Sequence, residues 1–440
     1  MTAMLPSDWN PNMKPIINIG IIGFGTVGCG AVQILQENKN SIERKIGSEL
    51  WIKRIADIDL ERKRPIEVDR GILTTDAYEI INDPEIDIVV ELIGGVKPAG
   101  QFIADAIANG KHIVSANKEL IAREGHALLL EAGNRKLDFC FEASVGGGIP
   151  IIRPLKICLA GNRIEEVVGI VNGTTNYILT KMSQEGRDFG ETLAEAQRLG
   201  YAEPDPTNDV EGHDAAFKIA ILASIAFGSQ VDLADVYHEG ITRLTQRDTS
   251  YAQELGYRIK LLAIAKENNG AMEIRVHPAF IPQSHPLASV NDVYNAIYVK
   301  GNAVGDVMFY GQGAGPLAAG SAVVGDIMDI ARNINSGATG RITCTCVDRK
   351  AALGMGEVVT KYYIRMKTLD RPGVLGAIAN VFGKNEVSIA SVLQKTRNGE
   401  QAEIVWITHE VKEKNFRTAL EEIQNLPVVA EVSNWIRVEG

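Results

Sequence analysis

Ile16–Gly28 reads IINIGIIGFGTVG, an apolar run broken by one asparagine that closes on the spacing GxGxxG. The run has the length and composition of a buried strand, and Val27, Ala31, Ile34 and Leu35 then recur at the spacing of one helix face. Strand, glycine turn and helix in that order are the context a dinucleotide site requires. Gly23, Gly25 and Gly28 permit a tight turn and close backbone approach to a pyrophosphate. Phe24, Thr26 and Val27 complete the loop, and the helix N-terminus offers amide hydrogens and a favourable dipole. A second strand is expected over Ile52–Asp57, where Asp57 or Asp59 would meet the ribose hydroxyls of NAD. Arg62, Lys63 and Arg64 follow closely and would instead neutralise the 2′-phosphate of NADP, so the pattern leaves both cofactors open.

Strand and helix patterns go on alternating through Phe141. Ile86–Ile93 reads as a buried strand ending in Gly94 and Gly95, Ala99–Asn109 as a helix, and His112–Ser115 as a strand ending in Ala116-Asn117-Lys118. Repeated βα units imply a parallel sheet, and ligands of such sheets bind beyond the carboxyl ends of the strands. Gly94, Gly95, Asn117 and Lys118 fall there. His112, His126 and His213 have no comparable setting and read as packed or solvated side chains. Leu137–Glu142 is the next expected strand, followed by Ala143–Pro150 with three consecutive glycines. By composition this loop is an interdomain crossing; its carbonyls holding a monovalent cation is the alternative.

Further on, Glu203–Lys218 reads EPDPTNDVEGHDAAFK, with five carboxylates and two prolines in a turn that feeds a helix from near Val210. Ile219–Ala226 is apolar on nearly every face, so that helix must enter a core. Asp214 and Lys218, four apart, share one face. The usual fate of such a pair is a surface ion pair of little energetic weight. Here the lysine stands one turn before an apolar segment, and desolvation would lower its pKa toward a range useful for proton transfer.

Composition limits the partners. A formal charge of −10 over 440 residues argues against nucleic acid or an anionic membrane surface. No apolar stretch reaches membrane-spanning length, and the polar, proline-broken N-terminus is unlike a signal peptide, so a cytoplasmic protein is expected. Five scattered cysteines fit a reduced compartment. Cys344 and Cys346 form CxC without a second ligand pair nearby, and alternation along a strand explains them better than zinc.

The blocks GFGTVG, SANKEL at 115–120, EASVGGGIPII at 142–152, GIVNGTTNYIL at 169–179, LGYAEPDPTNDVEGHDAAFK at 199–218 and GQGAG at 311–315 together resemble homoserine dehydrogenases, over about the first 345 residues. From Lys361 onward, with Asp370-Arg371-Pro372-Gly373-Val374-Leu375 at its first turn, the chain resembles an ACT domain. The resemblance implies an α/β protein in three parts. These are a Rossmann-type nucleotide-binding domain over 1–145, completed by about 311–345, and an α+β substrate and dimerisation domain over 146–310. A linker over 346–360 then leads to a ferredoxin-like ACT domain over 361–440. It implies NAD(P)-dependent interconversion of aspartate semialdehyde and homoserine, threonine as effector, and a homodimer or homotetramer.

By the same resemblance Lys218 is the proton donor, Asp214 orients it and the substrate, and Glu203, just after the turn at Gly200, binds the substrate ammonium. Ser115 and Lys118 lie at the cofactor, with Lys118 also at the substrate, and Gly313 packs by the nicotinamide. Carbonyls of Glu142, Val145, Gly147 and Ile149 match a sodium or potassium site, which makes the loop a cation cradle rather than a simple crossing. One departure is Ile58 in Asp57-Ile58-Asp59-Leu60, where many NADP-using members carry an arginine, so the usual NADP preference is in doubt.

Overall fold

Strands that are apolar on both faces need cover on both sides, and a parallel sheet flanked by helices supplies it. In the computed structural model, which describes residues 14–268, 270–398 and 401–440, Ile16–Ile22 is the middle of such a sheet. The polar N-terminal stretch weighed above falls mainly on residues 1–13, outside the described residues. The sheet runs in the order Leu73–Thr74, Glu49–Ala56, Ile16–Ile22, Ile88–Glu91, His112–Ser115, Phe139–Cys140, with every pairing parallel. The order reverses at Ile16–Ile22, so the crevice beyond its carboxyl end lies at the topological switch point.

Two helices close one face of this sheet. Thr26–Glu37 and Pro316–Ser336 bury Ala31, Val32, Val323, Ile327 and Ile330 against Ile17, Ile19 and Ile21. Their backbones touch where both carry glycine: a Cβ on Gly30 would collide with the Pro316 carbonyl, and one on Gly320 would lie 2.6 Å from the Gly30 carbonyl carbon. The later helix thus belongs to the nucleotide-binding fold.

The chain divides into two compact units. One holds the residues up to Glu165 with Ala220–Leu233 and Val299–Arg349; the other holds Glu166–Ile219, Ala234–Tyr298 and Lys350–Gly440. In the second unit, Ile164–Ile170, Tyr257–Asn268 and Ala271–Pro282 form an antiparallel core sheet. Val359–Leu369, Ile389–Asn398, Gln401–Thr408 and Val429–Val438, with helices Val374–Lys384 and Glu413–Gln424, make the βαββαβ of a ferredoxin-like ACT domain. Its apolar layer packs Tyr362 on Phe416, ring centroids 3.6 Å apart, beside Phe382 and Trp406. Val429–Val438 also pairs with Ala271–Pro282, joining the two sheets edge to edge.

Several local expectations change. The helix carrying Asp214 and Lys218 is His213–Ala226, not a helix from Val210, because Gly212 turns at φ 85° after the short helix Thr207–Val210. The strand expected over Leu137–Glu142 shrinks to Phe139–Cys140, since Glu142–Ser144 is already a 3₁₀ turn. Cys344 and Cys346 do not alternate along a strand. They lie in an irregular stretch whose backbone folds back through a bond from the Val347 amide to the Thr345 carbonyl. The helix from Pro316 runs to Ser336, where Gly337 ends it in the left-handed region.

Asp326 on that helix is buried, accepts the Glu142 amide at 2.8 Å, and pairs with Arg153 at 2.7 Å. Burial nonetheless pushes its carboxyl up to about 7. An unfolded aspartate titrates near ~3.9, so this group contributes stability that is full below that value and is lost as pH rises through about 7. Asp326→Asn lacks that titration. The melting temperature of the native protein minus that of the variant should therefore fall from pH 5 to pH 8; a constant difference would mean that Asp326 stays ionised throughout.

Candidate active site

The nucleotide half is built where Ile16–Ile22 ends. Gly23 turns at φ 107°, and a Cβ on Gly28 would strike the Gly23 carbonyl, so the loop folds tightly onto the first turn of the helix that Gly25 precedes. Asp57, immediately after the second strand, accepts the Phe24 amide at 2.6 Å and so pins the glycine loop to the neighbouring strand end. Arg64 braces the same corner: its Nε donates to the Phe24 carbonyl at 3.0 Å, and its guanidinium carbon lies 4.7 Å from the Phe24 ring centroid. Arg64 also donates to the Asp59 carbonyl. Arg62 and Lys63 are exposed, and the Arg62 amide is folded back onto the Asp59 carboxylate at 3.0 Å. Ile58 is 95% exposed.

At the next strand ends, Glu91 closes Ile88–Glu91 fully buried, and burial raises its pKa. Its carboxyl accepts the Ile93 amide at 2.9 Å and the Ser115 hydroxyl at 2.7 Å, binding two strand ends together. Asn117 donates to the Gly95 carbonyl at 2.6 Å and caps the helix Lys118–Asn134 by accepting the Leu120 amide. Lys118 is then the first residue of that helix and half-buried. A cation is disfavoured at a helix N-terminus, where free amides and the dipole favour anions, so Lys118 owes its place to something other than helix stability.

The glycine loop meets Gly313. A Cβ on Gly147, at φ 56°, would collide with the Gly313 carbonyl, and the Gly148 amide donates to the Gln312 carbonyl at 3.1 Å. The Glu142 carboxylate accepts three amides, from Ile151, Ile152 and Arg153, at 2.5 to 2.8 Å. With that charge engaged, a cation at this loop would have to be held by main-chain carbonyls rather than by the carboxylate. Neutral hard oxygens of that kind fit a monovalent ion better than a divalent one.

In the second unit, Ile164–Ile170 runs into Val171 and Asn172. Asn172 caps the helix Gly173–Glu185, accepting the Thr175 amide at 2.9 Å. Its amide group donates to Asp209 at 2.7 Å and to Asp214 at 2.9 Å. Lys218 Nζ donates to the same Asp214 oxygen at 2.7 Å and to the Val171 carbonyl at 2.6 Å. Lys218 is 8% exposed and Asp214 4%, so this is a buried ion pair rather than the surface pair its spacing alone suggests. Gly200 turns at φ 77°, and Thr174 donates to the Tyr201 carbonyl at 2.6 Å, which ties the loop carrying Glu203 to the same helix start. The Glu203 side chain is exposed. Sequence reasoning passed over Glu91, Asn172 and Asp209 as site residues, although GIVNGTTNYIL contains Asn172.

A switch-point crevice edged by a glycine loop, with a buried lysine and carboxylate on a separate apolar helix, defines a nicotinamide-nucleotide-dependent oxidoreductase carrying an ACT domain. Comparison with known proteins agrees. Residues 23–142 match the family described as homoserine dehydrogenase, NAD binding domain; residues 150–328 match homoserine dehydrogenase, and 362–428 the ACT domain. The homoserine dehydrogenase of Synechocystis is 46% identical, covering 96% of this chain and 99% of its own. The solved homoserine dehydrogenase of Thiobacillus denitrificans is similar at a TM-score of 0.91 and 43% identity, covering 97% and 99%. A hyperthermophilic archaeal homoserine dehydrogenase solved in complex with NADPH matches 72% of this chain and 97% of its own, at a TM-score of 0.62 and 28% identity. The chain belongs to the homoserine dehydrogenase family, and acts on the homoserine hydroxyl with NAD(P).

Asn172→Ala removes the amide that bridges Asp209 and Asp214 and so one hydrogen bond to each, while Lys218 still donates to Asp214. Turnover is expected to drop by about tenfold or more, and stability by ~1–3 kcal/mol for the two lost hydrogen bonds. Steady-state kinetics and a denaturant titration measure the two separately; unchanged turnover would mean that Asn172 only caps its helix.

Proposed function

We propose that Lys218 gives the proton to the substrate oxygen when aspartate semialdehyde is reduced to homoserine, and takes it back in the reverse direction. The observation that carries this reading is the buried ammonium held between the Asp214 carboxylate and the Val171 carbonyl at a strand end. Both acceptors hold it by charge-assisted hydrogen bonds, which fix its direction. A proton passed to a developing alkoxide leaves a neutral amine, which regains a proton from water to restore the ammonium that Asp214 stabilises. Bound NAD(P)H supplies the hydride, or NAD(P)+ accepts it.

Other residues prepare the substrate. Glu203, a carboxylate just past the turn at Gly200, binds the substrate ammonium, and Asp214 orients both lysine and substrate. Lys118 and Ser115 stand at the strand end that meets cofactor and substrate, while Gly313 lets the backbone come close to the nicotinamide. Gly23, Phe24, Gly25, Thr26, Val27 and Gly28 receive the pyrophosphate, and Asp57 the ribose. Exposed Arg62 and Lys63, just after Asp59, are the cations that would meet a 2′-phosphate, and the NADPH complex of the archaeal relative supports that choice. A sodium or potassium ion on the carbonyls of Glu142, Val145, Gly147 and Ile149 would stiffen the loop against Gly313. Threonine is the proposed effector of the ACT domain, and a homodimer or homotetramer working in the cytoplasm is the proposed assembly.

Lys218→Ala should lower kcat by about two orders of magnitude or more while nucleotide affinity survives. Glu203→Gln should raise KM for homoserine far more than KM for the nucleotide. A Lys218 variant with near-native turnover would remove it from the mechanism, and equal changes in both KM values would point to a folding defect at Glu203.

Replacing Arg62 and Lys63 by alanine should raise KM for NADP by about tenfold and leave NAD within about twofold. For regulation, cutting off the ACT domain is a poor test, because Val429–Val438 pairs with the substrate sheet and Glu439 pairs with buried Arg275. Asp370→Ala at the first ACT turn is milder: it should weaken threonine inhibition without changing kcat. Undiminished inhibition would place the effector elsewhere.

A further inference from the structure

Cys344 and Cys346 lie apart from the groups assigned above, in the irregular stretch before the bridge between Ser229 and Asp348. The Cys344 sulfur is 3.5 Å from His126 Nδ1, and Cys346 is within 3.4 Å of the Ser224 carbonyl. Thr345 alone separates the two cysteines along the chain. Both sulfurs line a cavity of about 50 Å³ shared with His126, Phe141, Lys156 and Ser224. A cavity of roughly 10–15 Å³ on this measure admits one water, so this one admits a molecule of a few heavy atoms and excludes a peptide thiol.

The surroundings separate the two sulfurs chemically. The hydrogen bond from Cys346, then that from His126, pulls Cys344 below the ordinary thiol range, and the same bond with burial pushes Cys346 up. Half-buried Lys156, whose Nζ lies 5.4 Å from the Phe141 ring centroid and whose pKa desolvation lowers, adds positive potential at both when protonated. Thiolate character beside cations, with small-molecule access, is the setting of a reactive cysteine. At Cys29 and Cys140 burial prevails and raises the thiol pKa.

We propose that Cys344 and Cys346 form a peroxide-reactive dithiol, with Cys344 as the attacking sulfur and Cys346 as the resolving one. The Cys344 thiolate attacks one oxygen of a small hydroperoxide; the O–O bond breaks, and the departing hydroxide takes up the proton that the Cys344 thiol released and leaves as water. Cys344 is then a sulfenic acid. Cys346 attacks the Cys344 sulfur, the S–S bond forms, and the sulfenic oxygen leaves as a second water with the Cys346 proton. Two thiols and one hydrogen peroxide thus give one disulfide and two waters, the sulfurs together losing two electrons to the peroxide.

The test uses the reduced full-length protein with one equivalent of hydrogen peroxide at neutral pH. Cleavage after Arg341 and Arg349 releases Ile342–Arg349, which carries both cysteines. That peptide should lose two hydrogens before the exposed Cys158 changes, and regain them with a dithiol reductant. Cys346→Ser should stop at a sulfenic acid on Cys344 that dimedone traps, and Cys344→Ser should slow peroxide consumption by about tenfold or more. Oxidation of Cys158 with Ile342–Arg349 still reduced, or a Cys344→Ser protein consuming peroxide at the native rate, would overturn the proposal. Should the variants fail to fold, peptide mapping of the native protein alone decides it.

Discussion

A lysine ammonium that is 8% exposed survives only beside acceptors that replace its water, and the second unit is arranged around that need. Asp214, one turn earlier on the same helix, is the nearest source of charge. It is itself buried, and would be costly there without the Asn172 amide on the oxygen that Lys218 also contacts. Asn172 comes from the end of Ile164–Ile170, and so does the Val171 carbonyl that takes another lysine hydrogen. Four groups are therefore fixed together only if the strand end and the helix start arrive in one register. Gly212 sets that register. Its left-handed turn separates Thr207–Val210 from His213–Ala226, so that Asp209 meets Asn172 from one side and Asp214 from the other.

Close backbone approach plays the corresponding part in the nucleotide-binding unit. Gly30 and Gly320 let two helices touch, which holds Pro316–Ser336 on the sheet, and the turn before that helix brings Gly313 against Gly147. A side chain at either contact would part the glycine loop at 142–150 from the turn before Pro316. The strand ends are joined by polar bonds instead: Glu91 to Ser115, Asn117 to Gly95, and Asp57 to Phe24. Each ties one strand end to another element beside the crevice. The mouth of the site is thus braced from inside the protein.

What was legible in the sequence is what depends on neighbours in the chain. IINIGIIGFGTVG states a strand, a turn and a helix through local residues, and Ile16–Ile22 matches the expected strand to the residue. The i,i+4 spacing of Asp214 and Lys218 likewise gives their pairing, and the apolar run after them gives their burial. Glu91 and Asn172 were not legible as site residues, because their partners lie 24 and 42 residues away along the chain. An acid that ends an apolar strand looks like a boundary until the next strand supplies Ser115. The cysteine pair misled for the opposite reason. CxC has the period of a strand, but Thr345 and Val347 fold the backbone back on itself, so both sulfurs face one cavity where alternation would set Thr345 apart from them.

The ACT domain is the clearest case of long-range charge overriding a local reading. Seen as sequence, it is a module after a glycine-broken linker. In the structure, Ala351–Ala352 already pairs with Ala271–Met272, and three buried arginines join the ACT domain to the rest of the second unit. Arg365 pairs with Asp248 at 2.9 Å, Arg275 with Glu439 at 2.5 Å, and Arg437 with Glu239 at 3.0 Å and Glu413 at 2.8 Å. Removing one partner from a buried pair costs ~3–5 kcal/mol, far more than the pair contributes, so the ACT domain cannot separate from this sheet without leaving charges unpaired. A packed path then leads inward. Glu239 holds Arg437 with its side chain, while its own carbonyl lies 3.2 Å from where a Cβ on Gly212 would stand. Its neighbour Gly240 is packed directly on the Val210 and Glu211 backbone. Contiguity alone does not make a route for regulation. The path does end at Gly212, the turn that holds Asp214 and Lys218 in register with Asn172 and against which the Glu239 backbone is packed.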